Sequence, residues 1–172
     1  MTLLRICLSL GVASQALFAC AQRPALEKAL AAQKNLTSLH SLLTEQMPDL
    51  MDELDQYSFD ENPITILAPS NAAFDMLPNV QTIGQAIADS KTPELENIFR
   101  YHVLEGLHWS QNLNSSFNFY PSLLTGKSFT NVTGGQRVGA VLQSGEPPEI
   151  VFTSGLSTRS VASKQDITFK GG

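Results

Sequence analysis

The chain has 172 residues, 42% of them hydrophobic and 16% charged, with a formal net charge of −5 at pH 7. That length holds one domain with a real core but not two comfortable ones, and the apolar content excludes a disordered tail. An acidic chain without a Lys/Arg cluster argues against a nucleic-acid partner, because phosphate neutralisation supplies most of that affinity.

In chain order, residues 1–21 read as a signal peptide. Arg5 gives a positive start, Ile6 to Phe18 a mostly apolar stretch, and Ala19-Cys20-Ala21 the small residues a signal peptidase reads. The apolar run falls short of the ~20 residues needed to span a bilayer. Leu17-Phe18-Ala19-Cys20 is also similar to a bacterial lipoprotein box, which would make Cys20 a lipid anchor, but Phe18 fits that box poorly and simple secretion is preferred. Both cysteines, Cys7 and Cys20, lie in this segment. Cleavage after Ala21 would leave no thiol, and so no disulfide, cysteine zinc site or cysteine nucleophile.

Residues 22–34 form an Ala-rich N-terminal lead with some helical character. The spacing of Leu36, Leu39, Leu42 and Leu43 predicts one apolar helix face, with Thr37 or Ser38 near its start. Pro48 interrupts it, and Leu50, Met51 and Leu54 predict a second short helix ending near Tyr57. Asp49, Asp52, Glu53, Asp55, Asp60 and Glu61 read as a solvated acidic face, since they lack the alternating oxygen ligands of a calcium loop. Asp60-Glu61-Asn62-Pro63 is a polar turn.

Ile64-Thr65-Ile66-Leu67-Ala68 is the clearest strand, expected to be buried on both faces. Pro69 stops it, Ser70 and Asn71 stand where helix caps belong, and Ala72, Ala73, Phe74 and Leu77 form a short helix. Ile83, Ile87 and Ala88 predict another. Thr92-Pro93-Glu94 starts a third, with Leu95, Ile98, Phe99 and His102 along one side. After Gly106 the pattern turns to short strands at Tyr120–Leu124, 128–133, Arg137–Gln143, Ile150–Thr153, 160–162 and Ile167–Phe169, with Thr133-Gly134-Gly135-Gln136 as a hairpin turn. Helices followed by strands, with one early strand, make an α+β domain.

Three sequons, at Asn35, Asn114 and Asn131, are expected to carry glycans and face solvent in a chain that enters a eukaryotic secretory pathway. The chain holds no G-x-S-x-G, H-E-x-x-H or Walker loop, and His40, His102 and His108 share no metal-ligand spacing. No enzyme, metal or cofactor is expected. Spatially assembled acids remain the route to a hydrolase.

Two stretches stand out: Ile64-Thr65-Ile66-Leu67-Ala68-Pro69-Ser70-Asn71-Ala72-Ala73-Phe74, and Tyr101-His102-Val103-Leu104-Glu105-Gly106. In this order they resemble the signatures of the fasciclin-like adhesion domain, a T-x-F-A-P-x-N-x-A-F strand and a Tyr-His pair leading into an apolar strand and glycine. The resemblance runs from about Asn35 to residue 172. It implies N-terminal helices packed on a strand-rich β-wedge or sandwich, and a secreted or cell-surface role in adhesion or in matrix or wall contact. The partner would be an extracellular protein or glycan, with no small-molecule substrate, and a membrane would be met only through an anchor outside this sequence.

The family's closing strand, of the type Gly-Val-Val-His-Val-Ile-Asp, is expected where the chain reads Ile167-Thr168-Phe169-Lys170-Gly171-Gly172. The domain is therefore read as C-terminally incomplete, with an exposed edge there. The resemblance makes Tyr101, His102, Val103 and Leu104 candidate adhesion residues, and Trp109 on the loop after Gly106 is read equally as an exposed aromatic anchor or as a half-buried packing residue. The competing reading, preferred for His102, is a buried hydrogen-bonded residue fixing the helix-to-strand turn. Ile64, Thr65, Leu67, Ala68, Pro69, Ser70, Asn71 and Phe74 are read as structural. An alternative function is a small-ligand carrier with a cleft beside Tyr101 and His102.

Overall fold

The computed structural model describes residues 23–77, 92–155 and 157–172. Residues 1–21, expected to be a signal peptide and holding both cysteines, and the helix expected around Ile83, Ile87 and Ala88, lie outside the described residues.

Four short helices open the fold: α1 (Leu26–Ala31), α2 (Thr37–Ser41), α3 (Pro48–Leu54) and, after the first strand, α4 (Asn71–Asp75). α1 lies inside the segment expected to be a lead, yet Leu26, Ala29 and Leu30 are buried in the main core. The leucine face predicted from Leu36 holds, with Leu36, Leu39 and Leu43 buried and Leu42 packed on the rim. It does not form one α-helix: Leu42–Gln46 is a π-helical turn, and the Thr44 hydroxyl donates back to the His40 carbonyl at 2.9 Å. Pro48 then starts α3 at the first helical position, where its missing N–H is not needed.

The longest helix among the described residues, α5 (Thr92–Tyr101), buries Leu95 and Phe99 against this layer. Its Arg100 makes a two-pronged ion pair with Glu53 of α3 at 2.7 and 2.6 Å. Asp55 accepts from the Leu26 amide at 3.0 Å and so caps α1. Glu53 and Asp55 therefore leave the solvated face on which the sequence placed them.

β1 (Ile64–Ile66) pairs antiparallel with β2 (Val103–Glu105), in the register Ile64 to Glu105 and Ile66 to Val103. β1 is shorter than the five-residue strand predicted, and only Ile64 is fully buried. A second sheet runs in the order β3 (Asn118–Pro121), β4 (Arg137–Gln143), β5 (Glu149–Thr153) and β6 (Arg159–Val161), all antiparallel. The two sheets are stitched by the Leu104–Ser122 bridge and by the Leu123 amide donating to the Val103 carbonyl at 2.8 Å. The run 128–133, expected as a strand, is loop. Turns at Gly126 and at Gly134-Gly135, whose φ angles are +86° and +84°, fold it back instead.

The exposed edge expected near residue 169 is not found. The tail lies along the free side of β1, with the Ile64 amide donating to the Gly171 carbonyl at 2.9 Å and the Phe59 amide to the Lys170 carbonyl at 3.1 Å, while Phe169 is buried in the core. Backbone groups left in apolar surroundings must find partners, and the tail supplies them without extending a strand ladder.

Candidate recognition site

The two signature stretches meet in one body. The Leu67 amide donates to the His102 carbonyl at 2.8 Å and the Gly106 amide to the Pro63 carbonyl at 2.8 Å, which extends the β1–β2 pairing past both ends. Thr65 locks the far end: its hydroxyl donates to the Gly106 carbonyl at 2.8 Å and accepts from the His108 amide at 3.0 Å. Gly106 turns the chain with φ +89°, a conformation that suits glycine.

His102 follows the last turn of α5. Its Nδ1–H donates to the Ile98 carbonyl at 2.9 Å, and its ring lies nearly parallel to Phe99, with the centroids 6.5 Å apart. Burial holds the imidazole below its ordinary pKa, only partly opposed by that hydrogen bond, so the ring is kept neutral as a fixed tautomer.

Tyr101 crosses to the second sheet. Its hydroxyl donates to the Arg137 carbonyl at 3.2 Å and accepts from the Gly155 amide at 3.0 Å. Both side chains are thus engaged internally. Val103 and Leu104, candidate contact residues in the sequence, are each 0% exposed. A partner docking on the surface cannot touch them. Their apolarity belongs to a strand entering the core.

Ser70 occupies the N-cap position of α4, but its hydroxyl makes no cap bond. Asn71 does cap a helix, though not its own. Its Oδ1 accepts from the Ser38 amide at 3.0 Å, its Nδ2 donates to the Thr37 hydroxyl at 2.9 Å, and its amide donates to the Asn35 carbonyl at 2.8 Å. The first turn of α2 is satisfied across 33 positions of chain, where Leu36 offers no side-chain oxygen. Phe74 packs on the rim of the main core, as do Ile66 and Ala68.

Trp109 sits differently. It tilts against Phe59, with ring centroids 6.4 Å apart, and the Arg23 guanidinium lies 3.2 Å from the Phe59 ring centre. The result is a partly exposed ledge of arginine, phenylalanine and tryptophan. Beside it, His108 packs on Tyr120 at 4.0 Å between centroids, its Nε2–H donates to the Glu105 carbonyl at 2.7 Å, and burial lowers its pKa. Asp166 fastens the ledge to the tail by accepting from the Ser110 amide at 2.9 Å and from the Ser110 hydroxyl.

Trp109 of the ledge also lines a half-open cavity of about 140 Å³, together with His108, Asp166, Phe169, Ile64, Leu26 and Leu30. The alternative reading placed a cleft beside Tyr101 and His102, and this cavity lies instead between α1, β1 and the tail. The sequence offered Trp109 but not the ledge. Arg23, Phe59 and Trp109 are far apart along the chain, and no local pattern links them.

Comparison with known proteins agrees with the paired stretches. The Fasciclin domain profile matches residues 34–151. A fasciclin-like arabinogalactan protein of Arthroderma benhamiae is 31% identical over 137 residues, 80% of this chain and 31% of its own length. A second protein of that description, from Phaeosphaeria nodorum, is 30% identical over 143 residues, 83% of this chain and 42% of its own. The chain thus spans less than half the length of either curated relative.

Proposed function

The chain belongs to the fasciclin family, and from that premise we propose that it is a secreted or cell-surface glycoprotein domain that adheres to an extracellular protein or glycan and catalyses nothing. The observation that carries this reading is the Arg23–Phe59–Trp109 ledge. Arginine and large aromatic side chains dominate contact energies, and here they stand in a row with part of their surface still in water. The leader-like residues 1–21 and the exposed sequon asparagines Asn35, Asn114 and Asn131 support export. Both relatives are named as arabinogalactan proteins, so wall glycan is the first partner to test.

The test is binding of the purified secreted chain to immobilised wall polysaccharide and matrix protein. Trp109→Ala is expected to weaken binding at least tenfold with little change in melting temperature, because the ring is only half-buried. Equal binding by wild type and variant would move the contact away from the ledge.

A second reading, the small-ligand carrier, is favoured by the cavity. Its volume of about 140 Å³ is close to that of an apolar protein cavity of roughly 150 Å³ that takes up benzene. Benzene at saturation should raise the melting temperature of wild type and leave Leu30→Trp, which fills the space, unmoved. No rise in wild type would remove this reading.

A further inference from the structure

Three phenylalanine rings of the strand-rich half stand in water: Phe119 on β3 is 61% exposed, Phe129 in the loop before β4 49% and Phe117 just before β3 46%. Isolated apolar groups on a surface need no explanation, but two of these rings share a sequence neighbourhood that gives them one. Phe129 precedes Asn131 by two positions and Phe117 follows Asn114 by three, and both asparagines are exposed members of sequons. Asn35, the third sequon asparagine, has no aromatic residue within four positions on either side.

Local geometry presents these pairs outward. The Phe129 and Thr130 amides donate to the Gly126 carbonyl at 2.9 and 3.0 Å, and the Gly135 amide donates to the Val132 carbonyl at 3.4 Å. Residues 129–132 are therefore the tip of a loop folded back at both ends. Phe117 lies against the backbone at Gly139, where any added Cβ would strike the outer edge of its ring, so the sheet fixes the ring in place. Phe119 meets it edge-on at 5.1 Å. Asn114 is held by its oxygens, its carbonyl accepting from the Leu142 amide at 2.9 Å and its Oδ1 from the Ser116 amide at 2.8 Å. Its Nδ2 is the atom a glycan would take.

We propose that Phe117 and Phe129 are stacking platforms for the first sugars of N-linked glycans on Asn114 and Asn131. One face of a pyranose presents C–H groups, and the negative face of an aromatic ring attracts them while both shed water. The modification is glycosyl transfer from a lipid-linked oligosaccharide diphosphate: the bond from the sugar's anomeric carbon to Nδ2 forms, its bond to the diphosphate breaks, and the amide releases a proton. Asn35 has no aromatic residue beside it in sequence to serve in this way, so the sugars would reinforce the sheet more than the helices. This proposal rests on the reading that the chain is exported.

The experiment expresses the full chain in a yeast secretory host. It reads site occupancy by mass spectrometry and the melting temperature before and after enzymatic removal of the glycans. Asn114 and Asn131 should be occupied, and deglycosylation should lower the melting temperature by about 2–4 °C. Asn35→Gln should leave that drop unchanged. Phe129→Ala should shrink it by about half, and Phe129→Trp should restore it. With glycans trimmed to one sugar, protons of the Asn131 sugar should shift upfield in NMR in wild type and lose that shift in Phe129→Ala, a signature that general destabilisation does not produce. An equal drop in wild type and Phe129→Ala, or an empty Asn131 beside an occupied Asn35, overturns the platform. A chain retained in the cell and unmodified at all three sites contradicts export instead. Replacing residues 1–21 with the host's own leader then puts the platform through the same readouts by itself.

Discussion

The helical half and the four-stranded sheet place their large apolar side chains in opposite ways. Around α2, α3 and β1, the side chains of Leu39, Leu43, Leu50, Leu54 and Ile64 are hidden almost completely, and residues from α1, α5 and the C-terminal tail join the same cluster. The sheet, among the described residues, fully buries Leu113, Ala140 and Ile150 in its own cluster, rimmed by half-covered Tyr120, Leu142, Phe152 and Ala162. Its loops and outer strands leave Phe117, Phe119, Phe129, Val132 and Val161 in water. One half is thus a self-sufficient core. The other is a thinner layer joined to the first through the Tyr101 hydroxyl and the β2 junction.

Truncation should separate the halves first. Leu54→Ala in the main core is expected to cost about 3–5 kcal/mol in urea denaturation, because the packed helices around it cannot collapse into the gap. Ile150→Ala should cost nearer 2 kcal/mol, since the thin sheet core relaxes more easily. Equal costs would erase the distinction.

Asn71→Ala comes next. It removes the cap of α2 together with the tie between α2 and α4, for a loss of about 1–2 kcal/mol. Asn71→Asp should recover the part that depends on Oδ1 alone.

Tyr101→Phe deletes a hydroxyl that joins α5 to β4 and to the loop after β5, for about 1 kcal/mol. Its sharper mark is a loss of coupling: the sheet amides should then exchange faster than the helical ones, and unchanged exchange would show that the halves are joined elsewhere.

Acid should have the smallest effect. The pKa values of His102 and His108 are depressed by burial, so below pH about 6.5 the unfolded chain takes up protons that the folded chain refuses. Stability therefore falls as pH drops from about 6.5 toward the folded values, then levels off. Glu53, held low by its hydrogen bonds to Arg100, acts in a separate and lower window. Its contribution is present above the usual carboxylate pKa and is lost as pH falls through the depressed one. Melting curves for His102→Gln should be flatter than wild type between pH 7.5 and 5.5.

The legible parts of this fold were those with local causes. β4 follows from the run Arg137–Gln143 and its glycine-rich approach, and α3 from Pro48 ahead of Leu50, Met51 and Leu54. Phe129 and Val132 suggested a strand because apolar residues in a short run look alike in a ladder and in a loop. The turns at Gly126 and Gly134 decide the matter, and the partners of those turns are not visible in the run itself. Asn71 was recognised as a cap, but its helix lies far up the chain. Val103 and Leu104 were set among contact residues because apolarity alone does not distinguish a core strand from a sticky surface. The tail reads as an unfinished strand, whereas it meets the rest of the fold through single carbonyls, Gly171 with the Ile64 amide and Lys170 with the Phe59 amide, with almost no repeating pattern.

The pairing of β1 with β2 as the hub of the whole domain is tested most directly by native-state hydrogen exchange. The Leu67 and Gly106 amides, bonded to His102 and Pro63, should exchange only through global unfolding, with the same free energy as the Met51 amide inside α3. Leu67 and Gly106 exchanging orders of magnitude faster than Met51 would mean that the two strands part while the helices stay folded, and the hub would not exist.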